Sequence, residues 1–324
     1  MKHSASSYRV GPHLFRIVNH STIDVADTLP SLSPFELPMA PDEAVIFELH
    51  LANAEGIKMT EEHETDICFD WEDARCVIRP LENAAHIVTI RPRNTEKTYR
   101  MECSDGFRCC TAYLSTEEDA VKDTLPNISV ETAQRGVRSF VLNNFLMMLY
   151  AFNAARHHTL LMHASVIASE GKGYLFLGKS GTGKSTHTSL WLKHIPGCYL
   201  LNDDNPVVHA DRPGKQVTVF GSPWSGKTPC YRNESMPVGA FVRLEQAPQN
   251  EIGKEGTVRA FAALLPSCSC LKQDKEIYGG IISTVTDLAS LAPTFHLKCL
   301  PNREAAELCR ETVGEIKSDE LEGR

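Results

Sequence analysis

Gly178-Lys-Ser-Gly-Thr-Gly-Lys184-Ser185 fits the pattern G-x-x-x-x-G-K-[ST]. Glycines at these spacings let the backbone curl, so that successive N–H groups point inward at phosphate oxygens. Lys184 adds a mobile positive charge for the β- and γ-phosphates, and Ser185 offers a hydroxyl to Mg²⁺. The context supports the pattern. Tyr174 to Leu177 enters as an apolar strand, and Ser185 to His194 leaves as a helix closed by Pro196-Gly197, with its positive end at the loop. Gly178, Ser180, Gly181, Thr182, Gly183, Lys184, Ser185 and Thr186 are therefore the expected contacts to a nucleoside triphosphate. Mg²⁺ is the ion expected beside it.

The pattern occurs a second time, as Gly221-Ser-Pro-Trp-Ser-Gly226-Lys227-Thr228. Pro229 follows, and Cys230 to Pro237 lacks helical periodicity, so no helix dipole would stand behind this copy. It reads as a rigid loop. Lys227 either points at phosphate or is an ordinary surface lysine. Between the two copies lies Asn202-Asp203-Asp204, closing a strand-like run that follows the Lys184 helix. Strand-end carboxylates beside a phosphate loop are where Mg²⁺ is held and where an incoming hydroxyl is deprotonated. Two of them permit a division of labour, one on the metal and one as base. The alternative is a helix cap or polar turn. His163 lies upstream, in Leu160 to Ser165. A lone histidine in an apolar strand is more often a satisfied core residue than a catalyst.

These residues need elements to position them. Up to about Thr116 the chain reads as short strands: Ala44 to Ala52, Asp66 to Asp70, Arg75 to Arg79, His86 to Arg91, Thr98 to Cys103 and Arg108 to Leu114. Short polar turns separate most of them, which predicts an antiparallel meander. From Glu131 to Arg156 the period changes, with Val137, Phe140, Val141, Phe145, Met148 and Leu149 on one helical face. Thr159 to Ala168 and Gly173 to Leu177 follow as strands, and the short link between them predicts an antiparallel hairpin. Further strands are expected at Cys198–Leu201, Pro206–Ala210, Gln216–Phe220, Val238–Leu244 and Thr294–Leu300. Helices are expected at Thr257–Leu265, Lys275–Ala289 and Asn302–Val313. Residues 314–324 are charged and poor in apolar groups, the composition of a disordered tail.

Of the 324 residues, 42% are hydrophobic and 23% charged, as in ordinary globular proteins. A net charge of −8 argues against a broad nucleic-acid footprint. Met1 to Pro12 has no apolar core of a signal peptide, and no apolar run spans a bilayer. Eleven cysteines without a regular framework read as reduced thiols, and a cytoplasmic location is expected. Cys268, Cys270, Cys299 and Cys309 match no structural zinc spacing. Cys109 and Cys110, in a strand, point to opposite faces. Arg243 either faces the phosphates or makes a structural ion pair. A homo-oligomer stays open.

The ordered set His163-Ala-Ser, hairpin, Gly178 to Ser185, helix, Asn202-Asp203-Asp204 resembles the catalytic domain of HPr kinase/phosphorylase. It is also similar to the nucleotide core of ATP-dependent phosphoenolpyruvate carboxykinase, and most of all to the bacterial HPr-kinase-related, carboxykinase-like proteins. The likeness runs from Leu160 to Val313 and includes segments similar to Gly221–Lys227 and Val238–Glu245. It implies a histidine at His163 beside the transferred phosphate, and Asp203 and Asp204 as base and Mg²⁺ partner. It also implies a phosphate loop set in a mixed sheet. The glutamate-isoleucine-arginine-glycine signature of HPr kinase is replaced here by Gly221–Lys227, so recognition of HPr itself is not implied. The extra metal site and oxaloacetate-binding arginines of a carboxykinase have no assignable counterpart.

The expected fold class is therefore α/β (α+β). A β-rich N-terminal domain (1–130) precedes a mixed-sheet, HPr kinase/carboxykinase-like nucleotide-binding domain (131–313) and a tail (314–324). The expected activity is an ATP- and Mg²⁺-dependent kinase acting on a hydroxyl of a small molecule or of a peptide or protein serine. Asp203, His163 and Lys227 are its catalytic group, and Ser185 and Asp204 its metal contacts. Expected partners are ATP and that acceptor, with no nucleic acid and no membrane. The rival readings are an ATPase, and a nucleotide-sensing module whose β-rich half binds a partner.

Overall fold

The computed structural model describes residues 4–39, 42–54, 63–70, 73–114, 130–226 and 228–314. Lys227 and the tail beyond 314 thus lie outside the described residues. The chain divides into two compact units, one of residues 1–9 and 13–153, the other of 10–12 and 154–324. Both are mixed α+β structures built on mixed sheets.

The first unit carries strands β1 (Ser4–Val10), β2 (His13–Asn19), β3 (Phe47–Asn53), β4 (Ile67–Asp70), β5 (Ala74–Pro80), β6 (His86–Pro92), β7 (Tyr99–Ser104) and β8 (Cys109–Leu114). A short helix α1 (Val25–Thr28) and a long helix α2 (Val130–Ala154) complete it. The sheet order is β1-β2-β3-β8-β7-β6-β5-β4. From β4 to β8 it is the expected antiparallel meander. Strand β3 departs from that expectation, because it pairs parallel to both β2 and β8. Parallel neighbours need a long crossover, and the chain between β2 and β3, with α1 and a 3₁₀ turn at Pro30–Phe35, supplies one. Burial alternates along β5, with Ala74, Cys76 and Ile78 fully buried, as one face of a strand should be. Helix α2 belongs with this unit rather than opening the second, so the break falls after residue 153 and not before 131. At its end Asn153 Nδ2 donates to Phe107 O (3.0 Å), and Phe152 meets the Phe107 ring edge-on.

The second unit contains β9 (Thr159–Leu161), β10 (Ala164–Ser169), β11 (Lys172–Leu177), helix α3 (Lys184–His194), β12 (Tyr199–Asp204), β13 (Val207–Asp211), β14 (Gln216–Phe220) and β15 (Ser235–Gln246). It continues with β16 (Glu251–Lys254), α4 (Thr257–Leu264), α5 (Lys275–Leu291), β17 (Thr294–Cys299) and α6 (Arg303–Gly314). β10 and β11 form the expected antiparallel hairpin, and β12 pairs antiparallel on the other side of β10. β11, β15 and β17 run parallel. The long strand β15 uses its first residues to join β14, β13 and β9 in an antiparallel extension. The sheet is mixed for a simple reason: the two-residue link Glu170-Gly171 can only turn β10 back into β11, whereas α3 and the chain after it separate β11 from β15.

One expected strand, Thr159 to Ala168, is two. The ladder breaks at Met162 and His163, whose N–H groups donate to Pro206 O (3.1 Å) and Ser267 O (2.6 Å). β16 had no counterpart in the sequence reading; its Glu-Ile-Gly-Lys carries a single large apolar side chain. Helix α3 is anchored by Trp191, fully buried against Tyr174 and Phe176 at ring distances of 5.5 and 5.6 Å. That packing holds the helix start at the end of β11, where the candidate site begins.

Candidate functional site

Gly178 follows directly on β11, and Lys184 is the first residue of α3. Between them the loop closes on itself, as Thr182 donates through N (3.1 Å) and Oγ1 (2.6 Å) to Lys179 O. Gly181 and Gly183 have φ of +80° and +103°, a region that costs an L-residue roughly 1–2 kcal/mol. Gly183 is the N-cap of α3, so the turn into the helix depends on it. Ser180 and Gly181 lie exposed on the loop, and Ser185 and Thr186 are exposed in the first helical turn. Lys184 Nζ donates to Gly178 O (2.8 Å), across the mouth of the loop. Burial pulls its ammonium below the ordinary lysine value, against the opposing pull of Asp204 and Asp203.

The carboxylates stand at the end of β12. Its register with β10 sets Asp203 opposite Ser165 and Asp204 opposite Ala164. Asp203 is buried, and its Oδ1 accepts from Ser165 Oγ (2.9 Å) and Ser185 Oγ (3.3 Å). Ser165 Oγ is also 3.4 Å from Thr188 Oγ1 on α3. Asp204 is more open. Its Oδ1 lies 3.2 Å from His163 Nε2, and its Oδ2 accepts from Asn205 Nδ2 (2.7 Å). His163, in the break between β9 and β10, is held below the ordinary histidine pKa by burial and by Lys184, with Asp204 opposing. The structure thus brings together Lys184, Ser185, Asp203, Asp204 and His163.

The loop containing Gly221 packs on these carboxylates. Gly226 N donates to Asp203 O (2.6 Å), and a Cβ at Gly226 would come within 2.6 Å of that oxygen. Fully buried Asn202 ties the loop down: its Nδ2 donates to Ser222 Oγ (3.1 Å) and Trp224 O (3.3 Å). Its Oδ1 accepts from the N–H groups of Asp204 and Asn205. No helix follows this copy; the chain next enters β15.

A half-open cleft of about 710 Å³ adjoins the phosphate loop, lined by His163, residues 178–182, residues 243–246 at the end of β15, and Ala262, Ala263, Pro266 and Ser267. Gln246 Nε2 donates to the Gly181 and Thr182 carbonyl oxygens at 3.3 and 3.4 Å, tying the end of β15 to the loop. Sequence reasoning passed over Ser165, Asn202 and Gln246. Ser165 had a signal, since in a strand it shares a face with His163 two residues before it. Gln246 had none. All eleven cysteines are free thiols, and no described helix is long and apolar enough to cross a membrane.

Among known proteins, the family model for "SynChlorMet cassette protein ScmC" matches residues 128–299, more than half of the chain. No curated protein matches the sequence. Of solved structures, the HPr(Ser) kinase/phosphatase from Coxiella burnetii is similar over 48% of this chain and 88% of that one, at 14% identity and a TM-score of 0.28. A likeness that small carries no argument about fold or activity.

Proposed function

The chain belongs to the ScmC family, and we propose that its second unit is an ATP- and Mg²⁺-dependent phosphotransferase acting on a hydroxyl group. The observation that carries this reading is the split environment of the two aspartates beside the phosphate loop. Asp203 is buried on the Ser185 hydroxyl, while Asp204 is open and paired with His163.

Ser185 and Asp203 would hold Mg²⁺. Among the described residues no group of three or more His, Cys, Asp or Glu side chains is placed to hold a metal. That suits an ion that takes one or two protein ligands and completes its shell from phosphate and water. When bound, Mg²⁺ neutralises charge on the β- and γ-phosphates. Gly178 to Thr186 bind the triphosphate through N–H groups and Lys184. Asp204 takes the proton of the acceptor hydroxyl, and His163 orients that carboxylate. The acceptor oxygen bonds to the γ-phosphorus as the bond from that phosphorus to the β–γ bridging oxygen breaks; ADP leaves, and the proton ends on Asp204. This exchanges the roles preferred from the sequence alone, because Asp203 already engages the serine expected on the metal. Lys227 is assigned by sequence alone, as a second positive charge for the transferred group.

The test is transfer from γ-labelled ATP across amino acids, sugars and serine peptides. Label appearing in an acceptor with matching ADP supports the proposal. ADP formed equally without any acceptor would make the protein an ATPase, and tight ATP binding with no turnover a sensor.

A further inference from the structure

The cleft beside the phosphate loop has a charged wall that the transfer step does not use. β11, β15 and β17 run parallel, and their register aligns Leu177, Arg243 and His296. Arg243 and Glu245 are two residues apart, so they share one face of β15. Both line the cleft. His296 sits behind them. Arg243 Nη2 donates to His296 Nδ1 (2.9 Å), which places the ring proton on Nε2, and Glu245 Oε2 lies 2.9 Å from that nitrogen. Glu255, largely buried, approaches the same ring at 3.7 Å. The imidazole thus stands between a guanidinium and two carboxylates, and its Nδ1 holds the tip of Arg243. His296 is 16% exposed and Glu245 49%, so the ring is inside and the carboxylate reaches the cleft.

We infer that this wall recognises the acceptor, and that the acceptor is a free α-amino acid carrying a side-chain hydroxyl. The inference rests on the phosphotransfer reading. A guanidinium fork matches a carboxylate in two-point contact, and a carboxylate beside it matches an ammonium. Arg243 takes the α-carboxylate and Glu245 the α-ammonium. The hydroxyl is then directed along the cleft to His163, at the end where Asp204 stands. The cleft is also lined by Ala262, Ala263 and Pro266, short side chains without polar atoms, with Ser267 beside them. These short side chains leave room for a small aliphatic side chain on the acceptor. Arg243 and Glu245 are specificity-determining residues in this account, and His296 is a positioning residue.

The experiment uses the full chain with γ-labelled ATP and Mg²⁺, and L-serine, L-threonine, L-homoserine, N-acetyl-L-serinamide and glycerol as acceptors. Transfer to at least one free amino acid, with none to the blocked amide or glycerol, is expected. Arg243→Gln should raise the amino-acid KM about tenfold or more while the ATP KM stays within about twofold. Arg243→Lys should recover part of the loss, and Glu245→Gln should narrow the preference for the free amine over its N-acetyl form. His296→Asn should raise the amino-acid KM less than Arg243→Gln and leave kcat nearly unchanged. Equal transfer to N-acetyl-L-serinamide, or an unchanged amino-acid KM in Arg243→Gln, overturns the inference. If nothing is phosphorylated, calorimetry with a non-hydrolysable ATP analogue separates the two claims. Analogue binding without any binding of the three amino acids overturns this inference, and loss of analogue binding itself overturns the phosphotransfer reading.

Discussion

The chain writes G-x-x-x-x-G-K-[ST] twice, and the glycines of the two copies serve different physical needs. At Gly181 and Gly183 an added Cβ would meet nothing within 4 Å, yet both have positive φ. They are glycine because of backbone conformation. At Gly221 and Gly226 the reverse holds. Neither has positive φ, but an added Cβ would come within 2.0 Å of Arg232 O and 2.6 Å of Asp203 O. They are glycine because another backbone occupies the space. The first copy curls and leads into α3; the second lies flat against β12 and backs the carboxylates. A sequence pattern that merely requires glycine does not distinguish the two. The element that follows it does.

That contrast can be broken at several points. The largest effect is expected at the proposed chemistry beside the first copy. Asp204→Asn should keep ATP affinity within about twofold and lower transfer by roughly a hundredfold or more. Full activity in that variant, measured with saturating ATP, would move the base elsewhere and end the assignment of Asp204. Next come the glycines themselves. Gly226→Ala should lower stability by about 1–3 kcal/mol in denaturant titration, since Asp203 O must give way. Gly183→Ala should cost about 1–2 kcal/mol of strain and should also weaken nucleotide binding, because it alters the N-cap of α3. If Gly226→Ala weakens ATP binding more than Gly183→Ala does, the comparison is inverted.

A pH-dependent effect of similar size concerns the helix that only the first copy has. His187 on α3 accepts from the Trp191 indole (3.1 Å), and burial pushes its pKa from the ordinary 6.5 to about 4. The unfolded chain therefore takes up this proton first on acidification. Its contribution to stability is complete above pH 6.5, falls as pH drops toward about 4, and is level below that. Between pH 7 and pH 5 the loss should be about 2 kcal/mol. His187→Gln should flatten that part of the profile in paired urea titrations; an unchanged slope would show that the ring titrates normally.

Much of this was legible because it is local. The hairpin of β10 and β11, the loop after Leu177 and the helix through Trp191 each follow from short patterns of apolar spacing, glycine and turn residues. What was not legible depends on partners far along the chain. The strand through His163 breaks because Pro206 and Ser267 take its backbone N–H groups. β3 turns parallel because the chain before it is long enough to cross over. The different surroundings of Asp203 and Asp204 depend on the register with β10, which sets Ser165 and not Ala164 opposite the buried carboxylate. Adjacent aspartates are interchangeable on paper and stand in different environments in the fold.

The most direct measurement is equilibrium titration of ATP with Mg²⁺ into the wild-type chain, Lys184→Ala and Lys227→Ala in parallel. The account predicts that Lys184→Ala loses roughly a hundredfold or more in affinity, while Lys227→Ala binds ATP nearly as the wild type does. Wild-type affinity in Lys184→Ala, with the loss appearing in Lys227→Ala instead, would contradict it.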